Sequence, residues 1–261
     1  MPAGSVARRP RPPRIDASDV GAPRPPAALR RKAARADRLL ERYYGRPARH
    51  RRSDPLSALI GTILSQHTSD INSHRAFARL RARFPSWGAV LDAPVEAVVD
   101  AIRPGGLGVL KARRIHAVLR RIVSERGAPS LGFLRRWDGP RARAWLRRLE
   151  GVGPKTAAIV LMFALGKRAF AVDTHVDRVG RRIGLIPEGL SVEAAHRWME
   201  ALVRPGRHRP LHLLLVRHGR ELCKAGRPRC PLCPVRGLCD YYRAAGRRRG
   251  RPLRLTASRF A

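Results

Sequence analysis

The chain has 261 residues, enough for one large domain or two smaller ones, with 55 Lys and Arg against 19 Asp and Glu and a formal net charge of +36. Only five of the basic residues are Lys, so a GC-rich genome explains arginine over lysine but not basic over acidic, and the imbalance points to a polyanionic partner, nucleic acid first. No apolar run approaches the ~20 residues of a membrane span and no apolar stretch follows the basic N-terminus as in a secretory signal, so a cytoplasmic protein with no membrane partner is expected.

Residues 1–35 are rich in Pro, Arg and Ala and read as a disordered basic arm; residues 244–261 read as a second basic tail. Between them the pattern is helical. Asp54-Pro55 is a cap followed by Pro at the first helical position, and Leu56, Leu59, Ile60, Ile63 and Leu64 follow at helical spacing. Phe77, Leu80 and Phe84 mark a second helix, ended by Pro85. Leu107 lies on a tight Gly-Leu-Gly turn before a helix expected to begin near Lys111, which carries Ile115, Val118, Leu119 and Ile122. Ala195, Trp198, Met199 and Leu202 mark another, with Ser191 as its cap. No segment shows strand alternation, so the fold class is all-α.

The stretch 149–158, LEGVGPKTAA, predicts a helix, a turn over Gly151-Val152-Gly153, and a new helix at Pro154 or Lys155. The glycines permit a tight turn and leave amide N–H groups at a helix N-terminus, where a phosphate binds. Val152 can plug the gap between the helices. This is the pattern of a helix-hairpin-helix that grips a DNA backbone, although an ordinary interhelical turn has the same signal. Lys155 sits at the helix start among apolar neighbours. That place disfavours a cation, and partial burial is expected to favour the neutral amine that makes a Schiff base; a surface phosphate-binding lysine is the plainer reading. Eighteen residues later Asp173 follows the apolar Phe170-Ala171-Val172 and precedes a helix carrying Val176, Val179 and Ile183. It reads either as an N-cap or as a carboxylate at the mouth of a cleft, facing Lys155.

The four cysteines, Cys223, Cys230, Cys233 and Cys239, read C-x6-C-x2-C-x5-C. A lone cluster of this kind reads as a metal site in a reducing compartment. Four thiolates can hold a [4Fe-4S] cluster or a zinc ion, and a single C-x2-C pair argues against the zinc ribbon. Between the first two ligands, Lys224, Arg227 and Arg229 form a loop with three cations and no acid, a candidate DNA-backbone contact.

The segment LEGVGPKTAAIVLMFALGKRAFAVDTHVDRVGRRIGL resembles the helix-hairpin-helix, Gly/Pro-rich loop and Asp signature of the endonuclease III family of DNA glycosylases, and the cysteine spacing matches that family's cluster at all four positions. The resemblance covers roughly residues 36–243. It implies two helical lobes: a six-helix barrel over 48–167 ending in the hairpin, and an iron–sulfur lobe made of 36–47 and 168–243. It implies Lys155 as the Schiff-base nucleophile, Asp173 as the catalytic carboxylate, and a [4Fe-4S] cluster that does not itself cleave.

The resemblance also implies a bifunctional glycosylase and abasic-site lyase acting as a monomer on double-stranded DNA with a damaged base, oxidised pyrimidines first, in the nucleoid of a bacterium or archaeon. Gln66 and His67, in ILSQHTSD, would belong to the lesion pocket and fill the hole left by the flipped base; Leu107 would be a wedge in the base stack. In endonuclease III a Gln stands where this chain has His67, which leaves the lesion preference open. The residue readings of a polar helix end for Gln66 and His67 and of a core contact for Leu107 stand beside these. A relative with another lesion or mismatch preference, and a non-catalytic iron–sulfur DNA-binding protein, are the alternatives.

Overall fold

The computed structural model describes residues 24–48 and 52–248. It holds twelve α-helices among them: α1 (Ala27–Tyr44), α2 (Pro55–Leu64), α3 (Asp70–Arg83), α4 (Trp87–Asp92), α5 (Val95–Ile102), α6 (Gly108–Arg126), α7 (Gly139–Leu146), α8 (Pro154–Ile159), α9 (Thr174–Ile183), α10 (Val192–Leu202), α11 (His208–Glu221) and α12 (Asp240–Arg248). There is no strand among the described residues, and no helix there is long and apolar enough to cross a membrane.

Polar side chains start half of these helices by accepting an orphan backbone N–H in the first turn. Asp54 accepts from Ser57 at 2.8 Å, Ser86 from Ala89 at 3.0 Å, Asp138 from Arg141 at 2.7 Å and Ser191 from Ala194 at 3.1 Å. Left-handed glycines end α6 and α9, Gly127 at φ 75° and Gly184 at φ 82°.

The apolar faces close two cores. The first draws on α2 to α8, with Leu59, Ile63, Ile115, Leu119, Leu146 and Leu161 at its centre. The second draws on α1, α9, α10 and α11, with Leu40, Val179, Met199 and Leu215. The extended segment 169–172 runs between them. Ala169 and Ala171 belong to the first core, Phe170 and Val172 to the second. This alternation is what an extended chain gives when both of its faces are buried.

One expectation needs correcting. Residues 27–35 are not a disordered arm but the first half of α1. Composition misleads here because alanine is the best helix former while adding little to hydropathy. Pro26 supplies the first acceptor, to Arg30 N–H at 3.0 Å, and Ala33, Ala36 and Leu40 are buried at helical spacing. Charge holds the helix from outside: Lys32 pairs with Asp240 at 2.9 Å, and Arg207 takes both oxygens of the buried Asp37 at 2.6 and 2.8 Å. The rest of that arm, residues 1–23, and residues 249–261 of the basic tail lie outside the described residues.

Cutting the chain after residue 35, a harmless trim on the composition reading, removes Leu29, Ala33 and the Lys32 pair. We expect it to lower unfolding stability by about 2–3 kcal/mol, the scale of the apolar surface lost, seen as a shift in urea midpoint. An unchanged midpoint would show that the first half of α1 contributes nothing to the second core.

Candidate active site

The hairpin forms between α7 and α8. After α7 the chain turns through Leu149, and Val152 N–H closes onto the Leu149 carbonyl at 3.1 Å. Gly151 has φ 73°, and a Cβ there would stand 2.8 Å from Cδ of Arg114, so both conformation and space call for glycine. Val152 is buried in the first core. Gly153 is the extended residue before α8, and no atom lies within 4 Å of where its Cβ would be, so its backbone is open to approach from outside.

Lys155 stands in the first turn of α8 and is exposed, not partly buried as its neighbours suggest. Thr156, Ala157 and Ala158 face the core instead. Asp173 leaves the segment between the cores and is half-buried; its Oδ1 caps α9 by accepting Val176 N–H at 2.8 Å. The cap reading is therefore correct as geometry, and it uses one carboxylate oxygen. Burial holds the His212 imidazole of α11 below the usual histidine range; the charge of Asp173 opposes that shift and that of Lys155 adds to it, so both bear on one ring. His175, the second residue of α9, is held low by burial, again against the pull of Asp173. Arg220 of α11 pairs with Asp70 of α3 at 2.7 Å, joining helices of the two cores near the same place.

Two loops flank the hairpin. Gln66 follows α2 and its side chain is spent inside the protein. Its Nε2 donates to the Gly151 carbonyl at 3.1 Å and reaches Thr156 Oγ1 at 3.5 Å, and its Oε1 accepts from Arg114 at 3.1 Å. Gln66 ties the hairpin turn to α2. His67 is exposed at φ 53°. Leu107 is the N-cap of α6 at φ 50° and 53% exposed. It is no core contact, and the helix begins at Gly108, three residues before the expected start at Lys111. The sequence reading missed Arg114, Thr156, His175, His212 and the Asp70–Arg220 pair, although Thr156 inside LEGVGPKTAA, His175 inside AVDTHVD and Asp70 at the end of ILSQHTSD lay within stretches already singled out.

The four cysteines are free thiols and line one pocket of about 360 Å³ together with Arg182, His218 and Val235. Burial pushes the Cys233 thiol up to about 12 and raises Cys230 and Cys239 as well. Among the described residues no three His, Cys, Asp or Glu side chains converge on a point that one metal ion could occupy. The loop after Cys223 is fixed by α9. Arg182 donates to the carbonyls of Lys224 and Ala225, both at 2.7 Å, and Arg178 to that of Cys223 at 3.0 Å. Lys224, Arg227 and Arg229 themselves are exposed.

Residues 60–205 match the HhH-GPD superfamily of base excision DNA repair proteins. The chain is 32% identical over 201 residues to an endonuclease III of Thermotoga maritima, covering 77% of this chain and 90% of that one. Among solved structures, a non-covalent endonuclease III–DNA complex superposes with a TM-score of 0.70 at 28% identity, over 84% of this chain and 98% of that one. A thermostable thymine-DNA glycosylase superposes with a TM-score of 0.69 at 26% identity, over 83% and 99%.

The left-handed backbone at Leu107 gives a test that needs no substrate. A non-glycine residue there costs about 1–2 kcal/mol, and glycine returns part of that gain through its freer unfolded chain. We expect Leu107→Gly to stabilise the protein by about 0.5–1 kcal/mol in urea unfolding, since an exposed leucine loses little packing. Destabilisation would mean that the leucine is held by contacts its exposure does not suggest.

Proposed function

Because the chain belongs to the endonuclease III branch of the HhH-GPD superfamily of base excision DNA repair proteins, we propose that it is a DNA glycosylase and abasic-site lyase whose nucleophile is Lys155 and whose catalytic carboxylate is Asp173. What supports the assignment is the placing of Lys155, exposed in the first turn of α8, and of Asp173, which keeps one oxygen clear of its helix cap, with the charges of both bearing on His212. Its partner is double-stranded DNA with a damaged base or an abasic site. All the groups named lie in one chain, so a monomer suffices.

The open backbone of Gly153 and the amides of the hairpin turn take a phosphate of the DNA strand, and the damaged nucleotide rotates out of the stack. The neutral amine of Lys155 attacks C1′ of the sugar. The bond from C1′ to the base breaks, and the base leaves with the bonding electrons and gains a proton. The Asp173 carboxylate stabilises the positive charge that develops on the sugar and takes the proton that Lys155 sheds. Ring opening leaves an imine between Lys155 and C1′. Loss of a proton from C2′ then expels the 3′ phosphate by β-elimination, and water releases the lysine. The strand is nicked 3′ to the lesion.

Oxidised pyrimidines are the proposed substrates. His67, where endonuclease III has a glutamine, and the near-equal likeness to a thymine-DNA glycosylase support a second reading, a shifted base or mismatch preference within the same chemistry. The test is single-turnover borohydride trapping. Lys155→Ala should abolish trapped DNA adducts. Asp173→Asn keeps the helix cap, because asparagine caps as well as aspartate, yet should cut base excision by on the order of 10²-fold or more while sparing cleavage of a preformed abasic site. Normal trapping by Lys155→Ala would place the nucleophile elsewhere, and full excision by Asp173→Asn would leave Asp173 a cap and nothing more.

The residues of the cysteine pocket are chemically suited to a [4Fe-4S] cluster: four free thiols line one pocket, none is tied into a disulfide, and only one pair has the C-x2-C spacing of a zinc ribbon. When bound, the cluster would cross-link the segment 223–239 through its four thiolates, with no part in the cleavage step. Burial raises the Cys230, Cys233 and Cys239 thiols, so loading must release protons. Arg182 Nη1 donates to Cys223 Sγ at 3.5 Å. Protein purified without oxygen should carry about four irons per chain and absorb in the visible, and Cys233→Ser should lose both iron and thermal stability. Colourless protein with one equivalent of zinc would overturn this assignment.

A further inference from the structure

The glycosylase chemistry leaves one buried ion unused. Lys111 lies in the first turn of α6 with only 1% of its surface exposed. Its Nζ donates to two backbone carbonyls, Leu64 at 2.7 Å and Gly105 at 2.8 Å. Leu64 is the last residue of α2, and Gly105 the last of the short 3-10 turn Arg103–Gly105. Both carbonyls belong to helix ends, where intrahelical partners are missing and partial negative charge collects. One ammonium therefore closes two helix C-termini. Its own backbone N–H also donates to the Leu107 carbonyl at 3.0 Å.

Each of those carbonyls stands just before a strained residue. Past Leu64 comes His67 at φ 53°; past Gly105 come Gly106 at φ 65° and Leu107 at φ 50°. Among the described residues, His67 and Leu107 are the two non-glycine residues with positive φ. Such conformations persist only where the surroundings over-determine them. Both side chains are exposed, and Val109 and Leu110 beside Leu107 are exposed as well, at 52% and 43%. An apolar tip of this kind is costly in water and suited to the gap between base pairs.

We infer that Lys111 is a positioning residue that locks the loops after α2 and before α6 into one rigid two-pronged probe, so that His67 and Leu107 enter the base stack of duplex DNA together. The inference rests on the glycosylase reading. It predicts that Lys111 matters for opening a stacked duplex and not for the chemistry at C1′.

The test compares wild type with Lys111→Met, which keeps the aliphatic stem and loses both hydrogen bonds. Single-turnover borohydride trapping is run on an abasic site in a fully paired duplex and on the same site inside an unpaired bubble, where the stack is already open. A 2-aminopurine placed opposite the abasic site reports unstacking directly. Lys111→Met should slow trapping on the duplex by roughly 10- to 100-fold, the scale of a misplaced site, and suppress the fluorescence rise, with the bubble rate unchanged. Equal loss on both substrates, or no loss on either, overturns the inference. If Lys111→Met shows no cooperative melt, Lys111→Gln, with one amide left to donate, should show the same split to a smaller degree; a wild-type duplex rate in that variant overturns it equally. A wild type that traps on neither substrate would instead sink the glycosylase reading.

Discussion

The site depends on how the extended segment 169–172 is held. It is buried between two cores and has no strand beside it, so its backbone polar groups must find side-chain partners. Histidines from the second lobe supply them. His196 Nδ1 lies 3.1 Å from Val172 N–H and accepts from it when the ring proton sits on Nε2. His212 Nδ1 meets the Ala171 carbonyl at 2.9 Å, and because a carbonyl only accepts, that nitrogen carries the proton. Burial lowers His196 to about 4, so its ring is neutral near pH 7 and can accept. Asp173 is the next residue along the chain. Its place is thus fixed by both cores at once, through the alternation of Ala169 and Ala171 against Phe170 and Val172.

Much of this was legible in the sequence where the signal is local. Asp54 and Ser191 announce helix starts because a cap and the N–H that donates to it lie within three residues. The hairpin turn and the cysteine spacing are local in the same sense. The reading failed where the cause is distant. Gln66 looked like a base-pocket residue, but its partner Gly151 is 85 positions away, and its polar atoms are spent on the protein. Lys111 marked only the expected start of a helix in the sequence; one of the two carbonyls it binds lies 47 positions earlier. The first half of α1 was hidden for another reason, since alanines that pack well look neutral in any hydropathy profile.

The basic composition also divides into two parts once the fold is known. With only 19 acidic residues, most arginines have no carboxylate to meet, and those on α9, of which Arg181 also pairs with Asp177, turn to backbone carbonyls. Arg178 serves Cys223 and Gly219, Arg181 serves Pro187 and Leu190, and Arg182 serves Lys224 and Ala225. A guanidinium has several donors in a fixed fork and loses less than an ammonium when partly dehydrated. Arg178 and Arg182 hold the loop that carries Lys224, Arg227 and Arg229, so one set of charges shapes the surface and the other is left exposed, as the proposed DNA contact requires. Exposed ion pairs such as Arg217–Glu221 add little to stability beside this.

The same economy explains why the chemistry sits at helix ends. Every helix leaves orphan donors at its start and orphan acceptors at its finish, and each must be met where it is buried. In this chain some of the groups that meet them are those assigned to the proposed site. Asp173 satisfies the start of α9 with one oxygen and leaves the other free for the proposed role at the sugar. Lys111 satisfies the finish of α2 and of the turn before α6, next to the loops of His67 and Leu107. Gln66 secures the hairpin turn. A side chain bound to a helix terminus has its direction set by the backbone, and backbone positions in a packed core move little. Catalysis that relies on placing an amine and a carboxylate about one sugar carbon gains most from that stiffness, which a loop of comparable length on the surface would not provide.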